Sequence, residues 1–220
     1  MAAKRTYGDS CGIARALDVV GERWALLVAR ELVLGPKRFT DLRAGLPKLG
    51  PDMLAQRLRD LEQAGVVGRR TLPAPAASRV YVLTEWGAEL APVLVALGRW
   101  GSRVPLPDQP PSLGVDAAII ALQTTFDPAA AAGVRESYEL RLGDQRFSLS
   151  VADGRLAVLR DAGDGAAVTI ETDTVTLAAL AFHGRPMRDA IDRGDARMDG
   201  DPAAAERLMT LFRAPVPIAA

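Results

Sequence analysis

Apolar residues recur at helical spacing through the first third of the chain and then give way to short alternating runs. GIARALDVV, at residues 12–20, sets Ile13, Leu17 and Val20 on one face and predicts a short helix with that stripe inward. Gly21 interrupts it. ERWALLVARELVLG then predicts a second helix, apolar through Trp24, Leu27, Val28, Leu32 and Leu34 and stopped by Gly35-Pro36. DLRAGL predicts a third short helix with Phe39 or Thr40 as N-cap, Thr40 being the better hydrogen-bond acceptor. In PDMLAQRLRDLEQAG, Pro51 suits a first helical turn and Gly65 a C-terminal cap. Leu54, Leu58 and Leu61 follow an i, i+4, i+7 pattern and give this fourth helix one core face. Gln56, Arg59 and Gln63 project almost oppositely, with Met53 and Asp60 on one flank.

The period then changes. VVGRRTL and SRVYVLT predict two short strands joined by a PAPAA turn. Thr84 can cap a following helix, TEWGAELAPVLVALGRWG, striped by Leu90, Val93, Leu94 and Leu97, with Trp86 and Trp100 adding large apolar surfaces. That stripe fits either an internal core or a dimer interface. VPLPDQPPSLG places four prolines among eleven residues and predicts an extended linker. VDAAIIALQTTF predicts a helix beyond it. Residues 134–172 predict consecutive antiparallel strands punctuated by Gly-Asp, Asp-Gly and Gly-Asp-Gly turns. TDTVTLAALAF and DPAAAERLMTLF return to helical spacing, the latter capped by Asp201 before Pro202.

The fold class expected is an N-terminal winged helix-turn-helix, mainly α with a β-wing, and a C-terminal α+β domain with an antiparallel sheet and packed helices. The boundaries read as 1–104, a linker at 105–114, and 115–220.

Charge separates the halves. Up to Val104 there are 16 Lys and Arg against 10 Asp and Glu; from Pro105 onward the count is 11 against 17. Phosphate backbones attract the first half and repel the second, so nucleic-acid contact belongs to the first. Arg69, Arg70 and Arg79 flank the strand turn, where flexible cations reach phosphates. Cys11 is the only cysteine, which rules out an intrachain disulfide. MAAKRTYGDS lacks the apolar stretch of a secretory signal, and VDAAIIALQTTF is too short to span a bilayer. A soluble, cytoplasmic protein with no membrane partner is expected.

Catalytic signatures are missing. There is no G-x-S-x-G elbow, phosphate-binding loop or HExxH sequence. His183, Asp189, Asp192 and Asp195 share HGRPMRDAIDRGD, whose spacing matches no zinc or EF-hand pattern. No metal, no cofactor and no enzymatic activity are expected.

Residues 10–101, from CGIARALDVVGERWALL through TDLRAGLPKLGPDMLAQRLRDLEQAGVVGRR to SRVYVLTEWG, resemble the HxlR family of bacterial winged-helix transcription regulators. The resemblance implies a homodimer, a repressor or dual regulator, bound to double-stranded palindromic operator DNA near genes under its own control. It implies a recognition helix beginning near Pro51, with Met53, Gln56 and Arg57 near the DNA-facing end and Arg59 on the same helix. Thr40 would open the preceding helix against the backbone, and Arg69, Arg70 and Arg79 would form the wing. Asp52 departs from the polar or basic residue of many relatives; cytosine reading and helix capping compete there, and capping is favoured. Cys11 matches a position that is redox-sensitive in some relatives, but packing as a small buried hydrophobe is the favoured reading there.

Residues 166–212 resemble the sterol-carrier-protein type in their pattern of strand, helix, short helix, brief strand and final helix. That resemblance implies a curved sheet under helices and an apolar cavity for a small hydrophobic effector. Leu177, Leu180, Phe182, Met187, Leu208, Met209 and Phe212 are its candidate lining, and each also suits a plain core. The alternative function is a noncatalytic carrier of small hydrophobes or a protein-interaction module.

Overall fold

The computed structural model describes residues 6–73, 77–105, 113–161, 163, 165–214 and 216–218. The chain divides into two units, Met1–Leu94 and Val95–Ala220. Most of the expected linker and the tip of the PAPAA turn lie outside the described residues.

The first unit contains α1 (Gly12–Val20), α2 (Ala25–Val33), α3 (Phe39–Gly45) and α4 (Pro51–Gln63), then β1 (Val67–Thr71), β2 (Arg79–Leu83) and α5 (Glu85–Ala88). It ends within α6 (Leu90–Gly101). Leu54, Leu58 and Leu61 of α4 are buried with Val28, Leu32, Leu42, Leu46 and Leu49. The apolar stripe of α4 thus welds the helix-turn-helix to α2. Pro51 occupies the first turn, where its missing N–H costs nothing, and Gly65 leaves the helix at φ +76°.

Several local expectations change. Ile13 is 74% exposed and Leu17 is exposed too; of the predicted inward stripe only Val20 is buried. Among the described residues α1 is buried only at Val20, at its C-terminal end, and the rest of the stripe lies open. Cys11, at the N-cap of α1, is exposed as well and is not a packed core residue. Helix α2 starts at Ala25 because Trp24 adopts φ 78°, a left-handed conformation outside the helical region. Arg38, not Phe39 or Thr40, is the N-cap of α3, and its backbone N–H donates to Asp41 at 3.0 Å. Gly50 caps α4, which puts Asp52 at the second helical position and removes the capping role expected of it. The single helix expected after Thr84 splits into α5 and α6 around Glu89. Pro92 lacks an N–H and its ring crowds the Ala88 carbonyl, so a continuous helix cannot pass.

The second unit contains α7 (Val115–Thr125), β3 (Glu136–Leu142), β4 (Gln145–Ala152), β5 (Arg155–Arg160), β6 (Val168–Thr172), α8 (Thr174–Phe182), α9 (Met187–Asp192), β7 (Ala196–Gly200) and α10 (Pro202–Thr210). Its sheet runs β5-β4-β3-β6-β7. Every pair is antiparallel except β3 with β6, which corrects the fully antiparallel expectation. The Gly-rich stretch after β5 does not close a hairpin; the chain crosses to the far side of β3, where Val168 and Ile170 enter the buried face. Tyr138, Leu140, Phe147, Leu149 and Ile170 of the sheet and Ile119, Leu122, Leu177 and Leu208 of the helices are all buried in the core. Asp173 and Asp201 cap α8 and α10, accepting from Thr176 N and Ala203 N at 2.7 and 2.9 Å.

Candidate nucleic-acid interface

Helix α4 follows α3 through a short turn, and its solvent side carries Met53, Gln56 and Arg59. Met53 and Arg59 are exposed and Gln56 is half-buried. Gln56 Nε2 donates to Asp60 at 2.8 Å, and Arg59 Nη2 donates to Gln56 Oε1 at 2.7 Å. The polar face is therefore ordered before any partner arrives.

Arg57 is placed differently. Its side chain is only 12% exposed and faces Asp60 at 3.2 Å and Glu22 at 3.5 Å. One helical step of about 100° separates it from Gln56, and that rotation turns it toward the start of α2. There it borders a polar hollow of about 690 Å3 shared with Tyr7, Asp18 and Glu22.

Thr40 is exposed at the second position of α3 and donates to Asp41 at 3.3 Å. Arg38, Arg43 and Lys48 are exposed on the same helix-turn segment and were not singled out from sequence. Their signal was three cations interleaved with buried Leu42, Leu46 and Leu49, so that every one faces water.

The wing pairs Arg69 with Tyr81, Arg70 with Val80 and Thr71 with Arg79. Arg69 is held at home: its guanidinium meets Glu62 at 2.5 Å and lies 5.3 Å from the centre of the Tyr81 ring. The hydrogen bond to Glu62, helped by nearby Tyr81, raises its pKa further above an already high value. Arg70 and Arg79 are exposed and make no ion pair among the described residues. Thr84 locks the wing to α4 and α5: its hydroxyl donates to Gly65 O at 2.7 Å and accepts from Gly87 N at 2.9 Å.

In the second unit, an open cleft of about 520 Å3 lies among α8, α9 and the end of α10. Leu180, Phe182, Met187, Met209 and Phe212 line it. Leu177 and Leu208 do not; both are fully buried in the core. Arg185, near this cleft, pairs with Asp195 at 2.5 Å, while His183, Asp189 and Asp192 are exposed. Among the described residues no three His, Cys, Asp or Glu side chains converge as metal ligands. No described helix is long and apolar enough to cross a membrane.

Comparison with known proteins divides along the same line. Residues 19–108 match the HxlR-like helix-turn-helix family, and residues 108–218 match the alkyl sulfatase C-terminal family. YvaP of Bacillus subtilis, an uncharacterised HTH-type transcriptional regulator, is 36% identical over 88 residues, 40% of this chain and 82% of its own. YodB of the same organism, an HTH-type transcriptional regulator, is 36% identical over 88 residues, covering 40% of this chain and 79% of its own. Among solved structures, reduced YodB aligns with TM-score 0.39 and 34% identity over 43% of this chain and 94% of its own. The oxidised redox regulator HypR aligns with TM-score 0.38 and 32% identity over 43% and 98%. This chain belongs to the HxlR-like helix-turn-helix family of transcriptional regulators, and its C-terminal half belongs to the alkyl sulfatase C-terminal family.

Proposed function

We propose that this protein is a cytoplasmic homodimeric repressor that binds palindromic operator DNA and is modulated through its C-terminal half or through Cys11. The observation that carries the reading is the combined surface of α4 and the wing, where exposed Met53 and Arg59 stand with half-buried Gln56 beside exposed Arg70 and Arg79. Met53, Gln56 and Arg59 reach base edges; Thr40, Arg70 and Arg79 hold phosphates, joined by Arg38, Arg43 and Lys48. Arg57 and Arg69 brace this surface from behind, each through a carboxylate of its own unit. Two such heads would meet half-sites about 34 Å apart.

A second copy is the partner that the apolar faces favour. Ile13 and Leu17 on α1, and Val93, Leu97 and Trp100 on α6, are exposed, with Trp100 at 71%. Burying such surface is what drives a dimer. The proposed organisation is a DNA-binding and dimerisation domain through residue 104, a linker at 105–114 and an effector domain from 115. A ligand there acts only if it binds the DNA-competent and incompetent states unequally.

Two supports favour a redox arm. Cys11 is exposed, and HypR is named as a redox regulator. A two-electron oxidant such as a peroxide, taking two electrons and both thiol protons, would join two copies through one disulfide, since no second thiol exists within the chain. The C-terminal half is read as the sensor of a transcriptional regulator because it follows a helix-turn-helix unit in the same chain.

Titration of the full chain against its own upstream promoter DNA and a scrambled duplex, at two salt concentrations, tests the function. Tight promoter-specific binding that weakens with salt is expected. Absence of binding to either duplex overturns the reading in favour of a noncatalytic carrier or interaction module.

A further inference from the structure

Gln56 is held at both ends of its carboxamide. Its Nε2 donates to Asp60 Oδ1 at 2.8 Å, one turn onward along α4, and its Oε1 accepts from Arg59 Nη2 at 2.7 Å. The chemistry of the two partners fixes which end is which. An ionised carboxylate only accepts and a guanidinium only donates, so turning the amide over would set oxygen against oxygen and N–H against N–H. Asp60 is itself fixed. Arg57 Nη2 lies 3.2 Å from its other oxygen, and Glu22 faces Arg57 at 3.5 Å.

A carboxamide has two N–H donors and an oxygen with two lone pairs, so Gln56 has one N–H and one lone pair to spare. An unrestrained glutamine turns over to suit different base edges. One locked at both ends presents its donor and its acceptor in a fixed order. In the major groove adenine shows an acceptor at N7 beside a donor at N6, and the locked amide answers both. Guanine shows acceptors at both N7 and O6, so its O6 would meet the Gln56 oxygen and neither would be satisfied.

We propose that Asp60 is a specificity-determining positioning residue: by fixing the Gln56 carboxamide it makes α4 prefer adenine to guanine at the base pair Gln56 faces. The proposal rests on the DNA-binding reading of α4 and names the base that reading leaves open. Asp60 acts through Gln56 and touches no base itself.

The test takes two readouts on the full chain. The first needs no DNA: the side-chain amide of Gln56, assigned by its loss in Gln56→Ala, is followed by 15N relaxation. It is expected to be ordered in the wild type and mobile in Asp60→Ala. The second is competition binding to promoter duplexes in which each A·T pair is exchanged for G·C in turn. The wild type should prefer adenine at the Gln56 position by roughly 5- to 150-fold. Asp60→Ala should lose most of that preference, and Asp60→Glu, which keeps a carboxylate, should retain more of it. Gln56→Ala/Asp60→Ala should be no less selective than Gln56→Ala, since Asp60 then has nothing to position. The Asp60 side chain is 33% exposed, and circular dichroism verifies that its variants keep the fold. A Gln56 amide as mobile in the wild type as in Asp60→Ala overturns the proposal, as does an adenine preference that Asp60→Ala leaves intact. An ordered amide in a protein that does not distinguish its promoter from scrambled DNA overturns the DNA-binding reading instead.

Discussion

Lys37 Nζ donates to Glu31 Oε2 at 2.6 Å inside the first unit, with the glutamate only 1% exposed. Arg30 holds the other carboxylate oxygen at 2.7 Å. The pair ties α2 to the segment that enters α3, and the Lys37 backbone also bridges to Tyr81 in the wing. Gly45 completes the arrangement, because a Cβ there would stand 2.1 Å from Glu31 Oε2. Lys37→Met removes one partner of a buried charge and should cost about 3 kcal/mol in urea denaturation. Gly45→Ala should destabilise the wild type but become neutral or favourable with Glu31→Ala, because an alanine otherwise favours helix. An equal cost in both backgrounds would show that the Glu31 contact is not the cause.

Arg70 and Arg79 are predicted to act on phosphates. Each alanine substitution should weaken binding similarly across DNA sequences and lower the salt-dependence slope by about 0.9. Arg69→Ala should change that slope less, because its guanidinium already neutralises Glu62. Fluorescence anisotropy over a salt series distinguishes them.

Gln56 and Arg57 are neighbours in sequence that share Asp60 but differ in their other partners, Arg59 for Gln56 and Glu22 for Arg57. Gln56→Ala should reduce discrimination between operator variants by about 1–3 kcal/mol at the base it reads. Arg57→Ala should leave base preference unchanged and lower stability, since Asp60 and Glu22 lose their shared cation. Competition binding paired with thermal melts separates the two effects.

Leu97→Asp and Trp100→Asp, both on the exposed stripe of α6, should convert a dimer to a monomer at micromolar concentration. Sedimentation equilibrium reads the mass. Operator affinity should fall together with dimerisation, while affinity for a single half-site changes little.

Glu136 supplies an acid dependence. Hydrogen bonds from Arg207 first, and then from the buried Tyr138, hold its carboxyl below the ordinary value of 4.5. The folded state therefore binds this proton less readily than the unfolded chain. The stabilisation is fully present above about pH 4.5 and is lost as pH falls through the depressed folded value. Glu136→Gln should flatten that acid limb in thermal melts while lowering stability at neutral pH.

Much of the first unit was legible because its rules are local. The spacing of Leu54, Leu58 and Leu61 depends only on helix geometry, and Pro51 and Thr84 announce helix starts through groups within a few residues, as Asp201 does in the second unit. The cleft was partly legible: five of seven proposed lining residues border it, whereas Leu177 and Leu208 look identical in sequence and are core. Apolar character alone cannot distinguish a wall that faces a cleft from one that faces another side chain.

By itself, then, the sequence determined where helices and strands form, which half is basic, and the family to which the chain belongs, since propensity, capping and composition act over short distances. Only the tertiary structure decided that β6 runs parallel beside β3, that Ile13 and Cys11 face water, and that Arg57 braces α4 rather than projecting with Gln56. Those outcomes depend on which surfaces meet across long sequence separations. A residue's partner there is set by the packing of whole elements, which no local period records.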